Sequence, residues 1–235
     1  MSNVQEKMNA KTAIAFDVYG TLVDPLAIAD HLKSVVGDRA GDFATLWRTK
    51  QLEYSFRRGL MRAYQPFSVC TRESLLYTEK ALGIVLTEEA STMLMQRYNH
   101  LPAYPDALSG LASIKSSGTW LAAFSNGEAE AVRNVLENAQ LLEFFDDVIS
   151  ADEVRTFKPD PAVYSHAVER AGQTANATWL VSSNPFDVIG AKTTGLRTAW
   201  VQRDPNVVFD PWGVDPDVVL SDLNQLPALL RRPQQ

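Results

Sequence analysis

The chain has 235 residues, of which 46% are hydrophobic and 21% charged, so it has enough apolar material for a substantial core. A formal net charge of −6 argues against a general nucleic-acid binder, because phosphate binding requires a basic face. The single cysteine, Cys70, excludes an internal disulfide and favours a cytoplasmic location. The polar start MSNVQEKMNAK predicts no signal segment and frayed ends at 1–10 and 232–235, and no apolar run reaches the roughly 18 residues of a membrane span.

The first predicted element is a short buried strand, TAIAF, at residues 12–16. A long segment with helical spacing of its apolar residues follows, from Pro25 to about Asn99. Asp24 is a predicted N-cap, with Pro25 at the first helical position. The predicted helices of this segment cover 25–37, 42–59, 68–82 and 87–98.

After Pro105 the pattern changes to short apolar strands that alternate with helices. The strands are predicted at 119–124, 147–150, 177–182, 198–202 and 217–220, and the helices at 127–139, 160–171, 187–194 and 221–231. Near-continuous apolar strands alternating with helices predict a parallel sheet covered on both faces. The sequence therefore predicts an α/β fold, with a doubly wound, Rossmann-like parallel-sheet core of residues 12–24 and 100–232. An inserted helical cap domain is predicted at 25–99.

Polar residues follow the predicted core strands at the point where each strand ends. In chain order they are Asp17, then Ser125 and Asn126, then Lys158, then Ser182, Asn184 and Asp187. Each has an ordinary structural explanation on its own, as a turn residue, a helix cap or a solvated lysine. The carboxyl ends of parallel strands meet at one edge of the sheet, where ligands of such folds bind. Their joint placement therefore predicts an active site.

The segment FDVYGTLVD at 16–24 resembles the first motif of the haloacid dehalogenase superfamily, many of whose members are phosphatases. The Ser-Asn pair at 125–126, Lys158 followed by proline, and SSNPFD at 182–187 extend the resemblance to roughly residues 12–225. Phosphatases of this superfamily typically carry a second acid two residues after the nucleophile, where this chain has Tyr19. The last motif likewise has serines and Asn184 where an acid pair is expected, so metal-binding charge is missing at both ends.

With these departures, the motifs are similar to those of the L-2-haloacid dehalogenase branch of that superfamily. The segment WRTKQLEYSFRRGL is also similar to the cap motif of the branch, in which the matching arginine, Arg48, enters the active site. The resemblance implies that Asp17 displaces halide from C2 of a short-chain L-2-haloalkanoic acid. An aspartyl ester then forms and is hydrolysed to a D-2-hydroxy acid, without a metal or another cofactor. Covalent catalysis of this kind divides one difficult step into two easier ones.

The resemblance also implies a role for each matching residue. Lys158 is the expected counter-charge of Asp17, Asp187 activates the hydrolytic water, and Arg48 receives the halide. The other catalytic candidates are Thr21 and Ser182, which orient Asp17, Asn184 on the halide side, and Tyr164 in the Asp17 network. The predicted substrate-binding residues are Val18, Tyr19, Ser125 and Asn126, which include the carboxylate site, and Leu52, Phe67 and Phe186, which with Tyr19 form an apolar wall.

Two residues depart from the pattern of the branch. Thr49 follows Arg48 where glutamine is expected, and Phe186 stands where tryptophan is common, so the preferred chain length of the substrate is open. A homodimer is implied, and Leu46, Trp47 and Leu60 are either interface or core residues. Three alternatives remain: a Mg²⁺-dependent phosphatase, a non-catalytic binding protein of the same fold, and a hydrolase that opens another carbon–heteroatom bond by the same attack.

Overall fold

The computed structural model describes residues 12–227. Within them, six parallel strands form one sheet in the order β3-β2-β1-β4-β5-β6. The strands are β1 (Ala13–Asp17), β2 (Trp120–Ser125), β3 (Asp147–Ser150), β4 (Thr178–Ser182), β5 (Arg197–Val201) and β6 (Val218–Leu220). The strand order reverses between β1 and β4, so a crevice is expected beyond the carboxyl ends of these two strands.

Helices cover both faces of the sheet. Successive side chains of a strand point to opposite faces, so neighbouring residues of one strand contact different helices. These helices are α5 (Ala107–Lys115), α6 (Ala129–Asn138), α7 (Pro161–Ala171) and α8 (Pro185–Thr193) in the numbering of the whole chain. On β1, Ile14 and Phe16 pack in one hydrophobic cluster with α5 and α6. Ala15, between them, packs in a second cluster with α7 and α8. The doubly wound arrangement predicted from the sequence is confirmed.

Four helices lie between β1 and α5: α1 (Ile28–Val36), α2 (Ala40–Leu60), α3 (Phe67–Leu82) and α4 (Glu88–Arg97). Phe43 and Trp47 of α2 are fully buried and share a cluster with Leu22 and Tyr98. Trp47 is therefore a core residue rather than an interface residue, whereas Leu60 is 86% exposed. Because this cluster continues into the sheet, the division at residues 24–25 and 99–100 stays a prediction.

The chain leaves the sheet for these helices and returns from them side by side. The N–H of Asp24 donates to the carbonyl of Pro102 at 3.0 Å, and the N–H of Tyr104 donates to the carbonyl of Leu22 at 2.9 Å. Away from these linkers, Ser68 Oγ donates to Glu128 at 2.6 Å, next to α6. The helical segment thus contacts the core through paired linkers at one place and through side chains at another.

Most predicted elements are confirmed to within a few residues, with two differences. Helix α5 was not predicted, since ALSGLASIK is rich in small residues; Gly110 is required there because a Cβ would lie 2.7 Å from Leu223 Cβ. The helix predicted at 221–231 begins as a 3-10 turn at Leu223–Gln225, capped by Asp222, and its end lies outside the described residues, as do the predicted frayed ends. No helix within 12–227 is long and apolar enough to cross a membrane.

Candidate active site

Asp17 is the last residue of β1, beside Phe124 of β2 in the sheet register, and its carboxylate lies at the expected crevice. Three side chains donate to it. Thr21 Oγ1 and Asn184 Nδ2 each lie 2.8 Å from Oδ2, and Lys158 Nζ lies 3.1 Å from Oδ1. Asp17 is only 7% exposed, so these donors replace most of the water that an ionised carboxylate requires.

The turn after β1 places the Thr21 hydroxyl within hydrogen-bonding distance of the Asp17 carboxylate. The N–H groups of Thr21, Leu22 and Val23 all converge on the carbonyl of Val18. Gly20 adopts a φ of 95°, a conformation that glycine adopts without steric cost. Thr21 Oγ1 also accepts the N–H of Ser183 at 2.9 Å, which ties this turn to the loop after β4.

Lys158 is a fully buried lysine, with 1% of its surface exposed. Its Nζ donates to Asp17, to Asp187 Oδ2 at 2.9 Å and to the carbonyl of Phe124 at 2.9 Å. An ammonium has three donors, so all of them are used. The backbone N–H of Lys158 donates to Asn126 Oδ1 at 2.8 Å, which fixes the loop that carries this residue.

Asp187 lies in the first turn of α8 and is fully buried. It accepts from Lys158 at Oδ2 and from Tyr164 Oη at Oδ1, the latter at 2.9 Å. Burial raises the pKa of Asp187 above its ordinary value, and Lys158 opposes this rise. Burial also raises the pKa of Tyr164 well above its ordinary value, so its hydroxyl remains a donor.

On the other side of Asp17, the carbonyl of Tyr19 accepts from two side chains. Asn184 Nδ2 lies 3.2 Å from it, and Arg48 Nη2 reaches it from α2 at 3.3 Å. Arg48, Thr49 and Leu52 of α2 line a cleft of about 400 Å³ together with the loop after β4. The cap arginine predicted to enter the site therefore lies within reach of the backbone next to Asp17.

The structure brings together most of the residues that the resemblance implies for catalysis. They are Asp17, Thr21, Arg48, Lys158, Tyr164, Asn184 and Asp187. Ser182 differs from its expected role: its hydroxyl accepts the N–H of Asn184 at 3.1 Å and is not among the donors to Asp17. It shapes the loop that presents Asn184 instead.

The predicted substrate-binding residues lie around this network, and their roles stay predictions. Ser125 Oγ accepts the N–H of Gly127 at 3.0 Å, beside Asn126, while Val18 and Tyr19 are buried. Leu52 lines the cleft. Among the aromatic residues, Phe67 packs on Phe157 with ring centroids 6.1 Å apart, and Phe186 packs on Phe56 of α2 at 5.0 Å.

Several contacts of the site were missed by sequence reasoning. The Phe124 carbonyl is a backbone group, which no sequence pattern marks. Arg203 follows β5 and donates from Nη2 to the Thr21 carbonyl at 2.5 Å, while Nη1 contacts both oxygens of Asp106. Gln51 accepts from Arg48, and its position three residues along α2 was an available signal, since such pairs share a helix face.

The donor set around Asp17 does not fit Mg²⁺. Within residues 12–227, no group of three or more His, Cys, Asp or Glu side chains could hold a metal ion. Mg²⁺ prefers octahedral oxygen ligands, whereas the side chains facing Asp17 are N–H and O–H donors. The ammonium of Lys158 already bridges Asp17 and Asp187.

Comparison with known proteins gives the same family. Residues 11–195 match the model of haloacid dehalogenase-like hydrolases. The chain is 38% identical to (S)-2-haloacid dehalogenase 2 of Pseudomonas sp. strain CBS-3, over 92% of this chain and 94% of that protein. It is 34% identical to haloacetate dehalogenase H-2 of Moraxella sp. strain B, over 93% and 97% of the two chains.

A solved structure resembles the whole fold as well. It is the L-2-haloacid dehalogenase from Xanthobacter autotrophicus with chloropropionic acid covalently bound. The TM-score is 0.88 at 35% identity, and the match covers 95% of this chain and 100% of that one. The chain described here belongs to the haloacid dehalogenase-like hydrolase family.

Proposed function

We propose that this chain hydrolyses short-chain L-2-haloalkanoic acids to D-2-hydroxy acids and halide through an aspartyl ester of Asp17, without a metal. One observation carries the proposal: a buried carboxylate at the sheet crevice is oriented by three donors and paired with the buried Lys158. The covalent chloropropionate in the Xanthobacter relative supports an ester intermediate.

In the first step a carboxylate oxygen of Asp17 attacks C2 from the side opposite the halogen. The new C–O bond forms as the carbon–halogen bond breaks, the halide leaves with the electron pair, and the configuration at C2 inverts. Halide needs hydrogen bonds but no proton. Arg48 and Asn184 supply such donors, and their proximity to the Tyr19 carbonyl supports this role.

In the second step water attacks the carbonyl carbon of the Asp17 ester, and its proton passes to Asp187. The raised pKa of Asp187 makes this carboxylate a stronger base than an ordinary aspartate. The tetrahedral intermediate carries negative charge on a former Asp17 oxygen. The donors that orient Asp17 in the free enzyme, Thr21 and Lys158 among them, already face that charge and stabilise it. The intermediate collapses as the bond between the Asp17 carbonyl carbon and the C2 oxygen breaks. That oxygen takes the proton from Asp187, so the 2-hydroxy acid leaves, and both carboxylates are restored as the second proton of the water passes to solvent.

The remaining roles in substrate binding follow from the surroundings of Asp17. Ser125, Asn126 and the backbone N–H groups of Val18 and Tyr19 hold the substrate carboxylate. The cleft beside Leu52 is lined by Arg48 and Asn184, which supports access to the proposed halide donors from the α2 side. One relative is named for haloacetate, and the Xanthobacter relative holds chloropropionic acid, which supports a short-chain substrate.

The proposal extends to the oligomeric state and the location of the protein. A homodimer is supported by the exposure of Leu60 and Met61 at the end of α2, which are 86% and 65% exposed. Light scattering at several concentrations tests it. A cytoplasmic location rests on the cysteine content of the chain.

Halide release from the two enantiomers of 2-chloropropionate tests the proposed function. Each assay is run with EDTA and again with Mg²⁺, beside a generic phosphate ester. We expect chloride from the L-enantiomer alone, at a rate that EDTA leaves unchanged. Phosphate release that depends on Mg²⁺, with no chloride from either enantiomer, would establish the phosphatase alternative instead.

A further inference from the structure

Gln51 is a fully buried polar side chain one turn along α2 from Arg48. Its Oε1 accepts from Arg48 Nη1 at 2.7 Å. Its Nε2 donates to Thr71 Oγ1 at 2.6 Å on the neighbouring helix α3. Buried amides are costly unless both ends are bonded, and here each end has a partner.

The direction of this chain of hydrogen bonds is fixed by chemistry. Arginine has donors only, so the oxygen of Gln51 faces Arg48. The hydroxyl of Thr71 donates to the carbonyl of Phe67 at 3.0 Å, which leaves its oxygen to accept from Gln51. Trp47 Nε1 donates to the Thr71 carbonyl at 2.8 Å, so α2 and α3 are also joined at this level.

The two hydrogen bonds of Arg48 differ in length. The bond to Gln51 is 2.7 Å long, while the bond from Nη2 to the Tyr19 carbonyl is 3.3 Å long and the weaker of the two. The guanidinium is planar, so holding Nη1 sets the plane in which Nη2 lies. The weak contact with Tyr19 is therefore the one that an anion in the pocket can replace.

Among the described residues, Arg48 forms hydrogen bonds to neutral acceptors only. Both acceptors are uncharged, and within residues 12–227 no carboxylate forms an ion pair with Arg48. Tyr98 lies nearby, and burial raises the pKa of its hydroxyl to about 12, so it is uncharged at neutral pH. The positive charge of Arg48 thus stays available for an anion, which a glutamate in place of Gln51 would neutralise.

We propose that Gln51 is a positioning residue, which together with Thr71 holds the Arg48 guanidinium toward the departing halide. This inference rests on the proposed function, in which Arg48 receives the halide. Poor leaving groups depend more on such stabilisation than good ones. A change that misorients Arg48 therefore harms release of chloride more than release of bromide.

The test compares kcat/KM for L-2-chloropropionate and L-2-bromopropionate in four proteins: wild type, Gln51→Leu, Thr71→Val and Thr78→Val. Thr78 is the matched control, because it also lies buried on α3 and donates to a carbonyl four residues back. For Gln51→Leu we expect kcat/KM for the chloride substrate to fall roughly 10- to 100-fold. The bromide-to-chloride ratio should rise in Gln51→Leu and Thr71→Val and stay at the wild-type value in Thr78→Val.

A structural role alone would lower the melting temperature and both rates together, and it would leave the ratio unchanged. A folded Gln51→Leu variant with the wild-type bromide-to-chloride ratio would therefore overturn the role of Gln51 and leave the proposed function unaffected. If Gln51→Leu does not fold, Thr71→Val decides in the same way. Wild-type protein that releases neither halide would overturn the proposed function, and the inference with it.

Discussion

The Nζ of Lys158 lies 3.1 Å from Oδ1 of Asp17, in a part of the molecule where the lysine is 1% exposed. The same nitrogen lies 2.9 Å from Oδ2 of Asp187. One buried cation therefore serves two buried carboxylates. The proposed nucleophile and the proposed base share one donor atom, so a change in Lys158 affects both.

Replacing Lys158 with Met is expected to remove activity and lower the free energy of unfolding by about 3–5 kcal/mol. The substitution leaves two buried carboxylates without their cation. Thermal or urea unfolding measures the change, with Lys192→Met as control. Lys192 is paired with Asp217 near the surface, where such pairs contribute about 1 kcal/mol or less. Equal losses in the two variants would contradict the central role of Lys158.

The Asp17→Asn variant is expected to fold normally and release no halide, because an amide is a poor nucleophile. In wild-type protein, a single turnover in heavy-oxygen water should place the heavy atom in Asp17 and leave the product unlabelled. This follows because water attacks the ester carbonyl rather than C2. Mass spectrometry of the Asp17 peptide measures the label. Asp30→Asn, at an exposed residue of α1, is the control for Asp17→Asn and should stay active. Label found only in the product would rule out the ester.

The Tyr164→Phe variant is expected to move the acid limb of the activity profile to higher pH. The Tyr164 hydroxyl bond lowers the pKa of Asp187, so its removal raises a pKa that burial has already raised. Asp187 must be ionised to accept a proton, and activity is therefore lost earlier as the pH falls. Rate measurements across the acidic range test this prediction. Tyr77→Phe, at an exposed position of α3, should keep the wild-type profile.

The raised pKa of Asp187 also makes the free energy of unfolding depend on pH. The folded chain holds the Asp187 proton more tightly than the unfolded chain. The contribution of this group to folding is therefore greatest below the ordinary aspartate value of 3.8, and it declines as the pH rises through the folded pKa. Unfolding of Asp187→Asn should show a weaker decline over that range. The same decline in both proteins would show that other groups cause it.

Gly190→Ala is expected to lower stability by about 1–3 kcal/mol and to reduce activity, because added volume strains a packed site. A Cβ at this position of α8 would lie 2.5 Å from Tyr164 Oη and 2.7 Å from Pro159 Cβ. Gly41→Ala is the matched helical control, since nothing lies within 4 Å of its Cβ. That variant should gain about 0.4–1 kcal/mol. Melting temperatures that shift in the same direction in both would contradict this packing.

The fold was largely predictable, because its periodic signals are local. Strands such as β4 are continuous apolar runs, and caps such as Asp160 with Pro161 mark helix starts. Helix α5 was missed because its small residues, Gly110 included, are set by close approach to Leu223, which is distant in sequence. Propensity cannot report such a contact.

The site was predictable where a side chain follows a strand, as for Asp17 and Lys158. The pairing of individual atoms was not. Ser182 was expected to donate to Asp17, yet its place in the loop turns it toward the Asn184 N–H. Gln51 lies within a segment that already read as helix, and only its contact with Thr71 shows why a polar group is buried there. Such partners come together through packing of α2 against α3, which one-dimensional spacing does not specify.

The paired linkers have a mechanical consequence for catalysis. The two linkers are hydrogen-bonded to each other, from Asp24 to Pro102 and from Tyr104 to Leu22. They therefore form one shared hinge instead of two independent connections. A hinge rotation of the helical segment would therefore turn about this shared edge and break contacts such as Ser68 Oγ with Glu128. We predict that such a rotation would move Arg48 away from Asp17, because α2 carries Arg48 and β1 carries Asp17.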